Sequence, residues 1–343
     1  MGEISMIGLD IAKNVFQVHG VDASGTAVLQ RTLRRGQVEK FFAQLPATRV
    51  GLEACGSAHH WARVISGYGH EIRLMPPSYV RPYVRRNKND ARDAEAICEA
   101  MGRPRMRFVP VKSAEQQAVL AVHSTRALLV RQRTMLANAL RAALSEVGIV
   151  AAQGIKGLRE LMQQLESASE KIPELMRGAL LIMAQQWQQL DAAERALERQ
   201  IKQAALADQD ARRLMEVPGV GPITASVVLA KVPDVSVFRS ARDFAAWIGL
   251  TGRDHGTGGK HRPGPISKQG DRMLRSLLIC GASAYLRQQR VRGAKNPWLR
   301  ALLARRPYKV VIVALAAKTA RILWAMLSRG ENYRDRASVP AAA

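Results

Sequence analysis

Four acidic side chains stand where acids are costly or crowded. Asp10 closes the apolar run "EISMIGLD" and Glu53 closes "RVGLE". Asp90 and Asp93 lie three apart in "NKNDARDAEAIC", a stretch that reads as the start of a helix. Positions three apart share a helix face, so these two carboxylates repel each other. The helix macrodipole accounts for acids in a first turn. It does not account for acids at the ends of apolar strands, where a buried charge is costly unless it is paired or binds a cation. If strands and helix meet, four carboxylates converge, and Mg2+ with its oxygen ligands suits such a cluster. Two such ions ~3.5–4 Å apart can activate a nucleophile and stabilise a leaving oxygen in phosphoryl transfer.

A second chemical stretch is "TGRDHGTGGKHRPGPISKQG". Thr257 is the only hydroxyl within the glycine cluster Gly256, Gly258 and Gly259, and Arg253, Lys260 and Arg262 supply charge around it. A hydroxyl nucleophile needs such backbone freedom and such cations. The spacing is not GxxxxGK[ST], so this is no nucleotide P-loop. Ser267 follows Pro263 and Pro265 and borders a helix start, where N-capping is its expected role. Lys268, Arg272 and Arg275 extend the basic set; residues 251–310 hold 14 Lys or Arg against 2 Asp. Upstream, "MEVPGVGPITASVVLAKV" reads as helix, turn, helix. Gly219 and Gly221 permit the turn, and the second helix offers free N–H groups to a phosphate. Arg81, Arg85, Arg86 and Lys88 precede the acidic helix and suit backbone contact with a nucleic acid.

The elements that must position these residues follow from hydrophobic periodicity. Three strand-like runs form a meander, and then helix and strand alternate, giving β-β-β-α-β-α-β-α. This is an α/β domain over 1–110, a mixed sheet with helices on its faces. Residues 111–208 read as long helices. One spans about 113–148 with a capping box from Ser113 to Gln116, and another spans about 174–206. Met183, Leu190, Leu197 and Ala204 fall seven apart with Ile201 beside them, a modest coiled-coil seam compatible with a hairpin or a dimerising stalk. Residues 209–330 read as mainly helical, and 331–343 as a disordered tail.

Net charge is +24 and the pI about 10.9, which points to a polyanionic partner, nucleic acid before membrane. No run of 18 apolar residues appears, and "MGEISMIGLD" is neither a secretory signal nor a myristoylation site, so no membrane role is expected. Cys55, Cys98 and Cys280 are scattered and odd in number, as expected of reduced thiols in a cytoplasmic protein.

The D…E…D-x-x-D order on this strand pattern resembles the ribonuclease-H-like fold of RuvC-type Holliday-junction resolvases. "GLDIAKNVFQVHGVD", "LEACGSAHHWA" and "KNDARDAEAICEA" closely resemble the DEDD transposases of insertion-sequence family 110, subgroup 1111, with the pilin-gene inverting recombinases as relatives. The resemblance covers about 5–105 and 210–330. It implies a RuvC-like domain in which Asp10, Glu53, Asp90 and Asp93 hold Mg2+. It implies a helical linker and a C-terminal transposase domain with a helix-hairpin-helix and a hydroxyl, usually serine, that joins DNA covalently. It further implies a homo-oligomer (dimer or tetramer) guided by an element-encoded noncoding RNA that pairs with donor and target DNA. This chain departs from the family pattern at Gly252, where relatives commonly have Pro, and at Gly256, where they have Ser. Thr257 is therefore the candidate nucleophile. Two other readings remain: a metal-dependent junction nuclease that uses water, and an inactivated relative that only binds RNA or DNA.

Overall fold

Strand and helix periodicity in the first hundred residues resolves into one sheet. The computed structural model describes residues 3–84, 90–167, 171–257, 260–293 and 296–334, with 254, 255, 257, 260–263 and 292 described by backbone alone. Contacts divide the chain into two units, Met1–Gln117 with Val232–Asp234, and Ala118–Lys231 with Val235–Ala343.

In the first unit, β1 (Met6–Ile11), β2 (Val15–Val21) and β3 (Ala27–Arg34) form an antiparallel meander. The β2–β3 turn is closed by Asp22, whose Oδ1 accepts from the amides of Ser24 and Thr26. Helix α1 (Val38–Ala43) leads to β4 (Arg49–Glu53), which pairs parallel with the free side of β1. Helix α2 (Ala58–Ser66) leads to β5 (Glu71–Met75), parallel to β4, so the order is β3-β2-β1-β4-β5. Short α3 (Pro77–Val80) and then α4 (Asp90–Met101) complete the β-β-β-α-β-α-β-α order read from the sequence, with α3 added to it.

The two faces of this sheet differ. Ile7, Leu9, Val50 and Leu52 pack with Phe42, Trp61 and Ile65 in one fully buried cluster. The alternate positions on β1 and β4 are Gly8 and Gly51, which sit opposite each other in register. A Cβ on Gly8 would lie 2.1 Å from the Ala94 carbonyl oxygen and 2.6 Å from the Cys98 amide, so α4 lies backbone to backbone on β1. At Gly51 a Cβ would meet the Met101 sulfur at 2.9 Å.

The division between units falls within α5 (Ala114–Glu146), which opens with the reciprocal Ser113–Gln116 capping box. In the second unit α5 runs antiparallel to α7 (Glu174–Ala207), with α6 (Ile155–Ser167) between them in sequence. Leu140 and Leu144 of α5 share a buried cluster with Leu180, Ala184 and Trp187 of α7 and Leu158, Leu161 and Leu165 of α6. The seam differs from the one expected. Buried α7 positions are Leu180, Ala184, Trp187, Asp191, Glu194, Ile201 and Ala205, a three-and-four spacing that keeps Ile201, leaves Met183, Leu190 and Leu197 half-buried beside it and leaves Ala204 exposed. The reason is electrostatic. Arg133 of α5 pairs with Asp191 at 2.7 Å and lies 2.6 Å from Glu194, and Arg126 reaches Glu194 at 3.2 Å and also pairs with Glu198. Acids neutralised across the hairpin occupy seam positions that apolar pattern matching leaves out.

Helices α8 (Gln209–Met215), α9 (Pro222–Lys231) and α10 (Ala241–Trp247) follow. The basic glycine-rich stretch, read as a loop, is an antiparallel hairpin of β6 (Gly252–Thr257) and β7 (Lys260–Ile266). Then come α11 (Arg272–Arg292), α12 (Pro297–Arg305) and α13 (Tyr308–Arg329). Among the described residues α13 alone is long and apolar enough to cross a membrane, at mean hydropathy 1.9. It packs against α10 and α11 and buries Val311, Leu315, Ala316, Ala320, Leu323 and Met326, as a core helix does. The tail segment 335–343 lies outside the described residues.

Candidate metal centre and hydroxyl hairpin

The two glycines that seat α4 also decide where the acids point. Asp10 is two residues beyond Gly8, and Glu53 two beyond Gly51, so both side chains leave the sheet on the α4 face. Asp90 and Asp93 stand one helical turn before Ala94 and Ile97, which pack on that face, so they extend the same stripe. One oxygen from each of Asp10, Asp90 and Asp93 lies within 4.8 Å of the others. Glu53 stands outside that trio on the neighbouring strand, and its charge still acts on Asp10.

The electrostatics are those of a crowded anionic site. Burial, then Asp93 and Asp90, pushes the Asp10 carboxyl up to about 6. Burial, with Asp93 adding to it, raises Glu53. The Cys55 thiol is raised by burial and then by Glu53 and Asp10. A divalent cation would relieve the repulsion, and the all-oxygen donor set suits a hard one. Nearby, His59 accepts the Lys112 amide at Nδ1, 3.2 Å away, and is held down to about 4 by burial and the Lys112 and Arg63 charges. It serves as a neutral tie between α2 and residue 112, a role its sequence position does not advertise.

The second unit holds the other sequence-predicted residues. Thr257 ends β6 opposite Lys260, and Arg262 pairs with His255 in the ladder. Arg253 Nη2 donates to the Ser267 carbonyl at 3.4 Å. The α11 N-cap is Asp271, which accepts the Leu274 amide at 2.8 Å and the Lys231 ammonium at 2.6 Å. Ser267 is therefore not the cap: it lies four residues too early, and its hydroxyl accepts from the Gln269 amide at 3.4 Å. Lys268 is exposed in a left-handed conformation, φ 55°, and Arg272 is exposed at the start of α11.

Arg275 has a structural use that the sequence hid. Its Nη1 donates to the carbonyls of Ile248 at 2.7 Å and Gln269 at 2.9 Å, joining the segments on either side of the hairpin. Gly249 and Gly270, at φ 80°, let those segments cross; a Cβ on Gly270 would lie 1.8 Å from the Trp247 oxygen. Gly219, φ 86°, is pressed on α11, its would-be Cβ 2.8 Å from the Gly281 oxygen, whereas a Cβ on Gly221 would meet nothing within 4 Å. Arg81 is exposed in the turn after α3, and Arg85, Arg86 and Lys88 lie outside the described residues.

Known proteins resemble the chain along most of its length. A family model described as Transposase IS116/IS110/IS902 family matches residues 211–303, and a transposase model of the DEDD type of IS110 matches 7–149. A Pseudomonas aeruginosa protein named "Probable family 20 transposase" is 51% identical, over 96% of this chain and 99% of its own. The transposase for insertion sequence element IS1111A of Coxiella burnetii is 42% identical, over 97% of this chain and 92% of its own. That for IS1328 of Yersinia enterocolitica is 38% identical, over 97% and 99%.

Proposed function

Since this chain belongs to the IS110/IS1111 family of insertion-sequence transposases, we propose that it cleaves and exchanges DNA strands with Mg2+ through a covalent hydroxyl–DNA intermediate. The observation that carries this reading is the gathering of Asp10, Asp90 and Asp93 within 4.8 Å at the end of a 3-2-1-4-5 sheet. That strand order supports a ribonuclease-H-like, RuvC-like catalytic domain over 1–110. The α8–turn–α9 segment, with Gly221 open to an approaching backbone, supports a helix-hairpin-helix in the C-terminal transposase domain.

Mg2+ bound there supplies Lewis-acid polarisation of the scissile phosphate. Asp10, Asp90 and Asp93 would hold it, and Glu53 would complete the anionic field from β4. Thr257 Oγ1 attacks phosphorus and gives its proton up to solvent, and the oxygen of the departing strand takes a proton from solvent to leave as a free hydroxyl. The phosphate–oxygen bond to the leaving strand breaks, and the new ester keeps the strand on the protein until another strand's hydroxyl reverses the step. Arg253, Lys260 and Arg262 balance the phosphate charge. The hydroxyl hairpin and the acids that it serves come from different protomers of a homo-oligomer. An element-encoded noncoding RNA selects donor and target DNA by base pairing.

Glycine at 256, where the resemblance leads one to expect serine, favours one competing reading, an inactivated relative that binds without cutting. Trapping on a suicide DNA substrate, with mass spectrometry of the linked peptide, separates the two. We expect a slow Mg2+-dependent adduct on Thr257, and a faster one after Gly256→Ser. An adduct on Ser267, or one that survives Thr257→Ala, overturns the nucleophile assignment. Cleavage without any adduct points instead to a water-using junction nuclease. Sequencing of RNA that co-purifies with the protein tests guidance.

A further inference from the structure

The second unit carries a groove that the reaction above leaves unused. It lies between α6 and α7 and encloses about 490 Å³. Its floor is apolar: Trp187 and Met162 line it and are 4% and 5% exposed. Its walls carry Arg159 from α6 and Arg195 and Arg199 from α7. Arg195 is tied to Asp191 at 2.7 Å, but Arg159 and Arg199 form no ion pair among the described residues. Asp191, also in the lining, is compensated by Arg133 and Arg195. Glu166, with the amides of Gln163 and Gln188, gives the groove both acceptors and donors.

This combination is selective. Two guanidiniums without an ion pair among the described residues, one on each wall, suit phosphate oxygens, which Arg binds in bidentate fashion. An apolar floor beside amides and a carboxylate suits a heterocycle with hydrogen-bonding edges. A volume of this size accommodates one small-molecule unit. We propose that the α6–α7 groove binds one phosphodiester-linked nucleotide of a single nucleic-acid strand, with Arg159 and Arg199 on its phosphate and its base over Trp187 and Met162. The site is separate from the carboxylate centre and needs neither metal nor strand cleavage.

The test uses the full chain without divalent metal and a fluorescent 12-nucleotide strand, in RNA and DNA arms of one sequence. Anisotropy gives affinity across a salt series for the wild type and for Arg159→Gln combined with Arg199→Gln. Both positions are exposed and unpaired, so the melting temperature should be unchanged. We expect weaker binding and a log–log salt slope smaller by about 0.7 for each arginine removed. Loss in the RNA arm alone, the DNA arm alone or both arms supports the site and names its strand. Unchanged affinity, or weakened binding with an unchanged slope, overturns it. Asp10→Asn should bind like the wild type here, so failure of the catalytic reading leaves a different trace.

Discussion

At the residue scale, the Asp10 carboxyl is the most informative group in the first unit. Its folded pKa of about 6 lies above the usual 3.8, so the folded state holds that proton more tightly than the unfolded one. The destabilisation is therefore absent below about pH 4, grows as pH rises through 6, and is complete at neutrality. In EDTA at pH 7, Asp10→Asn should melt no lower than the wild type and above it by a few degrees at most. The difference should vanish toward pH 4 in a thermal scan series. The same variant should lose strand exchange altogether in a plasmid assay with Mg2+. Gly8 gives the converse case. Its Cβ would lie 2.1 Å from the Ala94 oxygen, so Gly8→Ala should cost about 1–3 kcal/mol or more by urea unfolding. It should also reduce activity by lifting Asp90 and Asp93 away from Asp10.

At the element scale, the buried ion pairs between α5 and α7 make a sharp prediction. Arg133→Met leaves Asp191 and Glu194, 7% and 4% exposed, with one cation each, Arg195 at 2.7 Å and Arg126 at 3.2 Å. Urea unfolding should show a loss smaller than the ~3–5 kcal/mol of a wholly unpaired buried charge, and replacing Asp191 and Glu194 by leucine as well should recover most of it. This seam also marks where sequence reading stopped. The order of strands and helices along the first unit and both long helices were legible because apolar residues carry their periods. The seam was not, because Arg126, Arg133, Asp191 and Glu194 carry charge in core positions and only a partner helix reveals their pairing. The gathering of Asp10, Asp90 and Asp93 was foreshadowed by their places at a strand end and a helix start, whereas Glu53, expected among them, stands outside the trio. That Gly8 and Gly51 would seat the helix was not, since a glycine in a strand announces no particular neighbour. The β6–β7 hairpin was hidden by its glycines and prolines, which read as loop. Arg275 read as one more cation in a basic run, although its two carbonyl bonds cross-link the hairpin's root. Arg275→Ala should speed amide hydrogen exchange across 248–251 and 267–270 and leave the first unit's exchange unchanged.

At the scale of the whole molecule, +24 charges must meet many phosphates at once. If about 6–10 are neutralised, affinity for nucleic acid should fall ~10³–10⁵-fold between 50 and 200 mM salt. A flat response in a filter-binding titration would leave the charge without a partner. The crossing at Gly249 and Gly270, pinned by Arg275, then acquires a mechanical meaning. From Gly252 to Thr257 the ribbon extends five strand steps, about 16 Å at ~3.3 Å each. A swing of roughly 4° at its base displaces the far end by about 1 Å by that same length. A misplacement of ~1 Å can cost ~10²-fold in rate. On the proposed Thr257 chemistry the hairpin is a cantilever whose angular tolerance is set at its fixed end, and substitutions some 16 Å from that hydroxyl should detune the reaction as thoroughly as those beside it.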